Sequence, residues 1–212
     1  MNVLETLVSS FCNKSGHDTP DVNELNTLFA ERGDFLAQLK IYDAWMGRHT
    51  FLEPVEPYLF DLFMTEYMRR ESFFNEEDYW ESEEWSGILD QVEDRGSEWL
   101  NLLIYFVDCT LNEVDPDAED FLNEFLLVEE DDQQDEYEIY EPFILLQGFI
   151  GDDTENILAA VRQVDSDELG AILPALMLFF SEVEEAEGLT PVESALLSAT
   201  WAAYHEETKR AA

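Results

Sequence analysis

Apolar positions recur at three- and four-residue spacing almost from end to end of the chain, the period of a helix with one buried face. Val3, Leu4, Leu7, Val8 and Phe11 make the first such face. After a turn at Asn13–His17, Thr19-Pro20 stand as N-cap and first helical residue. Val22, Leu25, Leu28 and Phe29 carry that face to a stop at Gly33. Asp34 caps a third helix with Phe35, Leu36, Leu39, Tyr42 and Met46 inward, closed by Gly47. Pro54–Arg70 is apolar on more than one side, which places it centrally. Its terminal Arg69-Arg70 suit the negative end of a helix dipole.

The pattern continues beyond residue 70. Asn75 reads as an N-cap, and Ser97 as the cap of a strongly apolar helix, Trp99–Asn112. Asp115-Pro116 repeats the cap-plus-proline start for Asp117–Val128. Pro142 opens a helix to Ile150, ended by Gly151, and Thr154–Val164 follows. Ser166–Glu187 reads as one helix kinked near Pro174. Thr190-Pro191-Val192-Glu193 is a capping box with proline at the first helical position, and it starts the last helix. Only Glu136–Tyr140, EYEIY, alternates as an edge strand would. The expectation is all-α: a compact multi-helix bundle or irregular helical array of roughly nine to eleven helices. Pro54–Arg70, Trp99–Asn112 and Ala171–Phe180 should lie in its core. The chain reads as a single domain over 1–212, with a weak subdivision into 1–128 and 142–212 around the stretch 129–141.

Charge changes the picture. The 212 residues carry 50 Asp+Glu against 10 Lys+Arg, a formal net charge of −40. Hydrophobic residues are 46% and aromatic residues 13%, so the charge rides on a chain that can bury a core, unlike a disordered acidic tail. The acids gather in two blocks. The first, within 71–98, includes Glu76, Glu77, Asp78, Glu81, Glu83 and Glu84, interleaved with Tyr79 and Trp80. The second, within 129–141, includes Glu129, Glu130, Asp131, Asp132, Asp135, Glu136 and Glu138, with Tyr137 among them. No Lys or Arg occurs between Arg95 and Arg162. Self-repulsion on this scale works against the compact state. It also excludes nucleic acid and anionic membrane as direct partners and points to a basic protein or to high salt. The first residues carry an acid where a secretory leader has a basic stretch, and the apolar runs are too short to span a bilayer, so a cytoplasmic protein, microbial or virus-encoded, is expected.

Catalytic and cofactor chemistry finds no pattern. His17, His49 and His205 make no HExxH and no metal spacing with cysteine, and neither glycine-rich phosphate motif occurs. Cys12 and Cys109 read as buried free thiols. Asp115–Leu126 and Asp165–Leu176 begin like calcium loops, but Asp120 replaces the required glycine in one, and leucine stands at ligand positions in both. No enzyme, metal or cofactor is therefore expected.

Duplex DNA presents one charge per roughly 1.7 Å of axis. Acids at helical spacing repeat on one face about every 4.5–6 Å. Two neighbouring acidic rows thus approach the charge density of nucleic acid. The leading expectation is a non-enzymatic inhibitor that mimics nucleic-acid phosphates and occupies the groove of a basic nucleic-acid-binding protein, such as a nuclease, a restriction or CRISPR-type effector, a repressor or a chromatin protein. The sixteen block residues named above would be its partner-binding surface. Two alternatives stay open: an immunity- or antitoxin-like inhibitor, or chaperone, of one basic partner; and a halophilic helical protein whose acids only hold water. A homodimer is compatible with each.

Overall fold

A computed structural model describes residues 2–70, 87–88, 92, 95–126, 133–166 and 169–211, leaving aside the side chains of 124–126, 133–138 and 211. Among the described residues there are ten α-helices and no strand. They are α1 Val3–Ser15, α2 Asn23–Ala30, α3 Phe35–Arg48, α4 Glu56–Arg70, α5 Trp99–Leu111, α6 Ala118–Leu126, α7 Gln133–Leu146, α8 Thr154–Val161, α9 Ile172–Phe180 and α10 Pro191–Ala211. Short 3-10 segments at Thr50–Val55 and Gln147–Phe149 lead into α4 and out of α7.

The all-α expectation holds, and so do the three helices assigned to the core. Every residue of α9 from Ile172 to Phe179 is buried. So are Leu59–Thr65 in α4 and Leu102–Val107 in α5. The long α10 is the axis around which these helices gather: α1 runs along it, and α5 and α9 pack on it. Small side chains let α1 come close. Ser10 faces Ser194 and Ser198, and its hydroxyl lies 3.3 Å from that of Ser198. The buried apolar side chains other than Val107 form one connected set from Leu4 to Ala203.

Capping explains several boundaries. Asn2 and Glu5 form a reciprocal capping box at α1. Asp34 accepts from the Ala37 amide, and Thr190 and Glu193 close the expected box at α10. Ser97 accepts from the Trp99 amide at 3.3 Å.

Proline-based boundaries fare worse. Thr19-Pro20 does not start α2, which begins at Asn23, whose amide is taken by the Asp21 carboxylate. The Thr19 hydroxyl instead meets the Cys12 thiol. The cap of α6 is Asp117, two residues after Asp115; its Oδ1 accepts from Glu119 and Asp120. Pro142 lies inside α7 and the stretch 136–140 is helical, not strand. Burial overrides local preference here: Tyr140 and Phe143 both pack against Phe121, so core contacts hold the helix on either side of the missing amide. The expected long helix over 166–187 is shorter. It spans Ile172–Phe180, with Pro174 in its first turn, where a missing amide leaves no bond unmade.

Candidate functional site

The residues proposed to meet a partner lie mostly outside the described part of the protein. This holds for Glu76, Glu77, Asp78, Tyr79, Trp80, Glu81, Glu83 and Glu84, and for Glu129, Glu130, Asp131 and Asp132. The backbone of Asp135, Glu136, Tyr137 and Glu138 belongs to the first turns of α7. The structure does describe how the flanks of the two blocks are fastened, and it brings those flanks together. Glu98, which ends the first block, accepts hydrogen bonds from the Tyr140 hydroxyl (2.9 Å) and from Asn101 (2.9 Å). Tyr140 directly follows the acid-rich part of α7. Inside the first block, Ile88 and Val92 are buried in the common core.

A buried carboxyl pins the same place. Asp61, the lone charge in the apolar run of α4, is fully buried. Its Oδ1 accepts from the Ser97 amide at 2.9 Å, and its other oxygen accepts from the Ser97 hydroxyl. A Cβ on Gly96 would stand 2.9 Å from the same Oδ1, so only glycine lets the backbone approach. Burial lifts the Asp61 carboxyl well above its usual range, and the Ser97 bonds offset this only in part. Next to it, Arg95 bonds Asp43 (2.9 Å) and Glu56 (2.8 Å), and its guanidinium lies over Phe60. Arg95, Gly96, Ser97 and Glu98 thus form a continuous clasp that returns the chain from the first acidic block to the core.

The remaining arginines are spent in the same manner. Arg48 pairs with Glu24, Arg69 with Glu207 at 2.9 Å, and Arg210 with Glu66 of α4 at 3.6 Å. Arg162 pairs with Glu193 at the start of α10. Burial alone would raise the Glu193 carboxyl, but Arg162 and the Thr190 bonds together hold it below the ordinary glutamate value. Arg70 serves more than its own helix dipole: it reaches the carbonyls of Leu28 (3.1 Å) and Glu31 at the end of α2, and the Gln38 side chain. Six of the seven arginines therefore close joints of the fold.

Two glutamates occupy positions that favour glycine. Glu113 and Glu182 have φ of 55° and 58°. Each is the left-handed residue of a Schellman motif. At the end of α5 the Val114 amide bonds the Cys109 carbonyl (2.9 Å) and the Glu113 amide bonds Thr110. At the end of α9 the Val183 amide bonds Leu178 (2.9 Å) and the Glu182 amide bonds Phe179. α1 also ends in a left-handed residue, Gly16, φ 77°, with the Gly16 and His17 amides both on the Cys12 carbonyl and with Lys14 in its last turn. Glycine removes the steric conflict and lysine suits the dipole. The two glutamates do neither, and both are exposed.

Other chemistry is sparse. A groove of about 540 Å³ runs between α1, α10 and the 181–190 loop and is lined by Ser10, Lys14, Glu184, Glu187 and Ser194. It contains no histidine or cysteine, and the Ser10 and Ser198 hydroxyls are engaged with each other and with the Ser194 carbonyl. Among the described residues no group of three or more His, Cys, Asp or Glu could hold a metal. The histidines pack on aromatic rings: His17 on Phe51, His49 on Trp45 and His205 on Trp201. Cys12 and Cys109 are buried, as expected, and are not joined in a disulfide. No described helix is long and apolar enough to cross a membrane.

No protein-family model matches the chain, and neither a curated protein nor a solved structure is significantly similar to it. Function therefore has to be argued from the residues alone.

The clasp and the two glutamates went unread in the sequence for different reasons. Asp61 was visible as a single acid inside YLFDLFM, the signal of a buried polar group needing a partner. Nothing near Glu182 marks a helix end, because the usual glycine is missing, and the end read at Asn112 carries no glycine to mark the left-handed turn at Glu113.

Proposed function

We propose that this protein is a non-enzymatic inhibitor that presents carboxylates in place of nucleic-acid phosphates to the groove of a basic nucleic-acid-binding protein. The observation that carries this reading is the allocation of positive charge. Arg48, Arg69, Arg70, Arg95, Arg162 and Arg210 are committed to joints between helices. The blocks around 76–84 and 129–138 contain no Lys or Arg. In this reading, counter-charge for those blocks comes from solution or from a partner. Their flanks meet at Glu98 and Tyr140, which favours one shared acidic region over two remote ones. Glu113 and Glu182 add a second support, since acids stand there against both backbone and dipole preference.

The test is capture from a lysate of the natural host on immobilised protein, at low and high salt, with and without competing duplex DNA. A basic nucleic-acid-binding protein should be retained at low salt, released by salt and displaced by DNA. Replacing the acids of either block by Asn and Gln should abolish capture while circular dichroism stays helical. A single exposed Glu→Gln should change binding by less than about 1 kcal/mol. Capture of a partner with no basic nucleic-acid groove, or capture indifferent to DNA, would replace mimicry by dedicated inhibition or chaperoning of one basic protein. Equal acidity in the housekeeping proteins of the source would favour adaptation to salt.

A further inference from the structure

We infer that Leu145 and Phe149 form the apolar anchor of the surface that meets this basic partner, so that recognition is not by charge alone; the inference rests on the proposed function. Leu145 is 64% exposed, the largest value among the exposed large apolar residues that are described, and Phe149 is 37% exposed. They stand four residues apart where α7 passes without a break into the Gln147–Phe149 segment. The fold does not need either of them outward. Phe143 and Leu146 already bury the other side of α7, with Phe143 against Phe121 and Phe180. Leu111 and Val114, exposed elsewhere, stand on either side of the Schellman turn that ends α5, where the Val114 amide bonds the Cys109 carbonyl. Leu36 and Ile41 have a rim of mixed charge, with Lys40 beside Ile41 and Asp34 and Asp43 two residues to either side.

The rim of the Leu145–Phe149 pair defines the occupant. Exposed Glu141 lies one turn before Leu145, and exposed Asp152 and Asp153 follow Phe149. An apolar centre with a charged, solvent-accessible rim is the usual anatomy of a protein interface. With an acidic rim, the complementary surface is a basic one that carries apolar side chains. A second copy would bring another net charge of −40 against the same acids. Anionic lipid is disfavoured for the same reason.

Two synthetic helical peptides make the probe: one rich in Arg and Lys with Leu and Phe at i and i+4, and a twin with Ser at those two positions. Fluorescence anisotropy with the full chain at several salt concentrations should show the apolar peptide binding at least tenfold tighter than its twin. The double variant Leu145→Ser/Phe149→Ser, checked for an unchanged helical spectrum, should lose that preference and keep the salt slope. Glu141→Gln/Asp152→Asn/Asp153→Asn should lower the salt slope for both peptides. The anchor is refuted if the wild type binds both peptides equally, or if the Ser variant keeps the preference. Equal binding that duplex DNA still abolishes would refute the anchor and leave mimicry standing. Binding of neither peptide at low salt would overturn both. A wild-type dimer in light scattering that the Ser variant converts to monomer would assign the patch to self-association and overturn the proposal.

Discussion

Replacing Glu113 and Glu182 by glycine should stabilise the protein, and the structure sets the size of the gain. A non-glycine residue in the left-handed region loses about 1–2 kcal/mol. An acid at a helix C-terminus loses a further 0.3–1 kcal/mol, roughly, at low salt. Glycine returns about 0.4–1 kcal/mol of this through the greater freedom of the unfolded chain. The net expectation is about +1 kcal/mol per site, which raises the melting midpoint by about 2–4 °C in a chain of this length. Thermal unfolding followed by circular dichroism measures it. Glu113→Gln and Glu182→Gln separate the two contributions, because they remove the charge and keep the backbone conflict. Their smaller gain should vanish in high salt, whereas the excess of Gly over Gln should persist. Gly16→Ala is the reverse experiment. A Cβ there would meet no atom within 4 Å, so its loss of stability would be conformational alone. If neither glycine variant raises the midpoint, or if Gly16→Ala is neutral, no left-handed strain is stored at these helix ends. The acid at Glu113 and Glu182 would then have no stability penalty to explain.

Three further outcomes are expected. Asp61 has a raised carboxyl, so its contribution to stability is fully present below the ordinary value of 3.8 and is lost as pH rises through its folded-state value; Asp61→Asn should flatten that part of a pH–stability profile, and an unchanged profile would refute the burial argument. Glu193 is depressed, so its contribution is present above 4.5 and lost as pH falls through the folded value; Glu193→Gln should destabilise by about 1–2 kcal/mol near neutrality, discounted for the half-exposed Arg162, and by less in acid, as chemical denaturation would show. The whole protein should gain thermal stability from low to high sodium chloride, because screening shortens carboxylate repulsion to about 8 Å at 0.15 M; a flat series would mean that the acids are already neutralised.

What the sequence determined by itself is the class of structure and the imbalance of charge. The 3.6-residue period of apolar positions is local, and so is a reciprocal box such as Thr190–Glu193; both can be read without a neighbour. The identity of the most buried helices was equally legible, because a segment apolar on all sides, such as Ile172–Phe180, has nowhere to go but inside. Tertiary structure decided where helices begin and end when local signals conflicted with burial. Thr19-Pro20 has the composition of a helix start, yet its hydroxyl goes to Cys12. Pro142 should interrupt a helix, yet Tyr140 and Phe143 hold both sides of it against Phe121. Tertiary structure also decided the use of the scarce cations. Arg70 pairs with carbonyls forty residues away in the chain, roughly, and Arg69 with a carboxylate on the last helix. Such partners are set by how helices pack, which no spacing along the chain encodes. The acidic blocks themselves could be counted from the sequence. Their meeting at Glu98 and Tyr140 could not, because it depends on α5 and α7 both packing on α6.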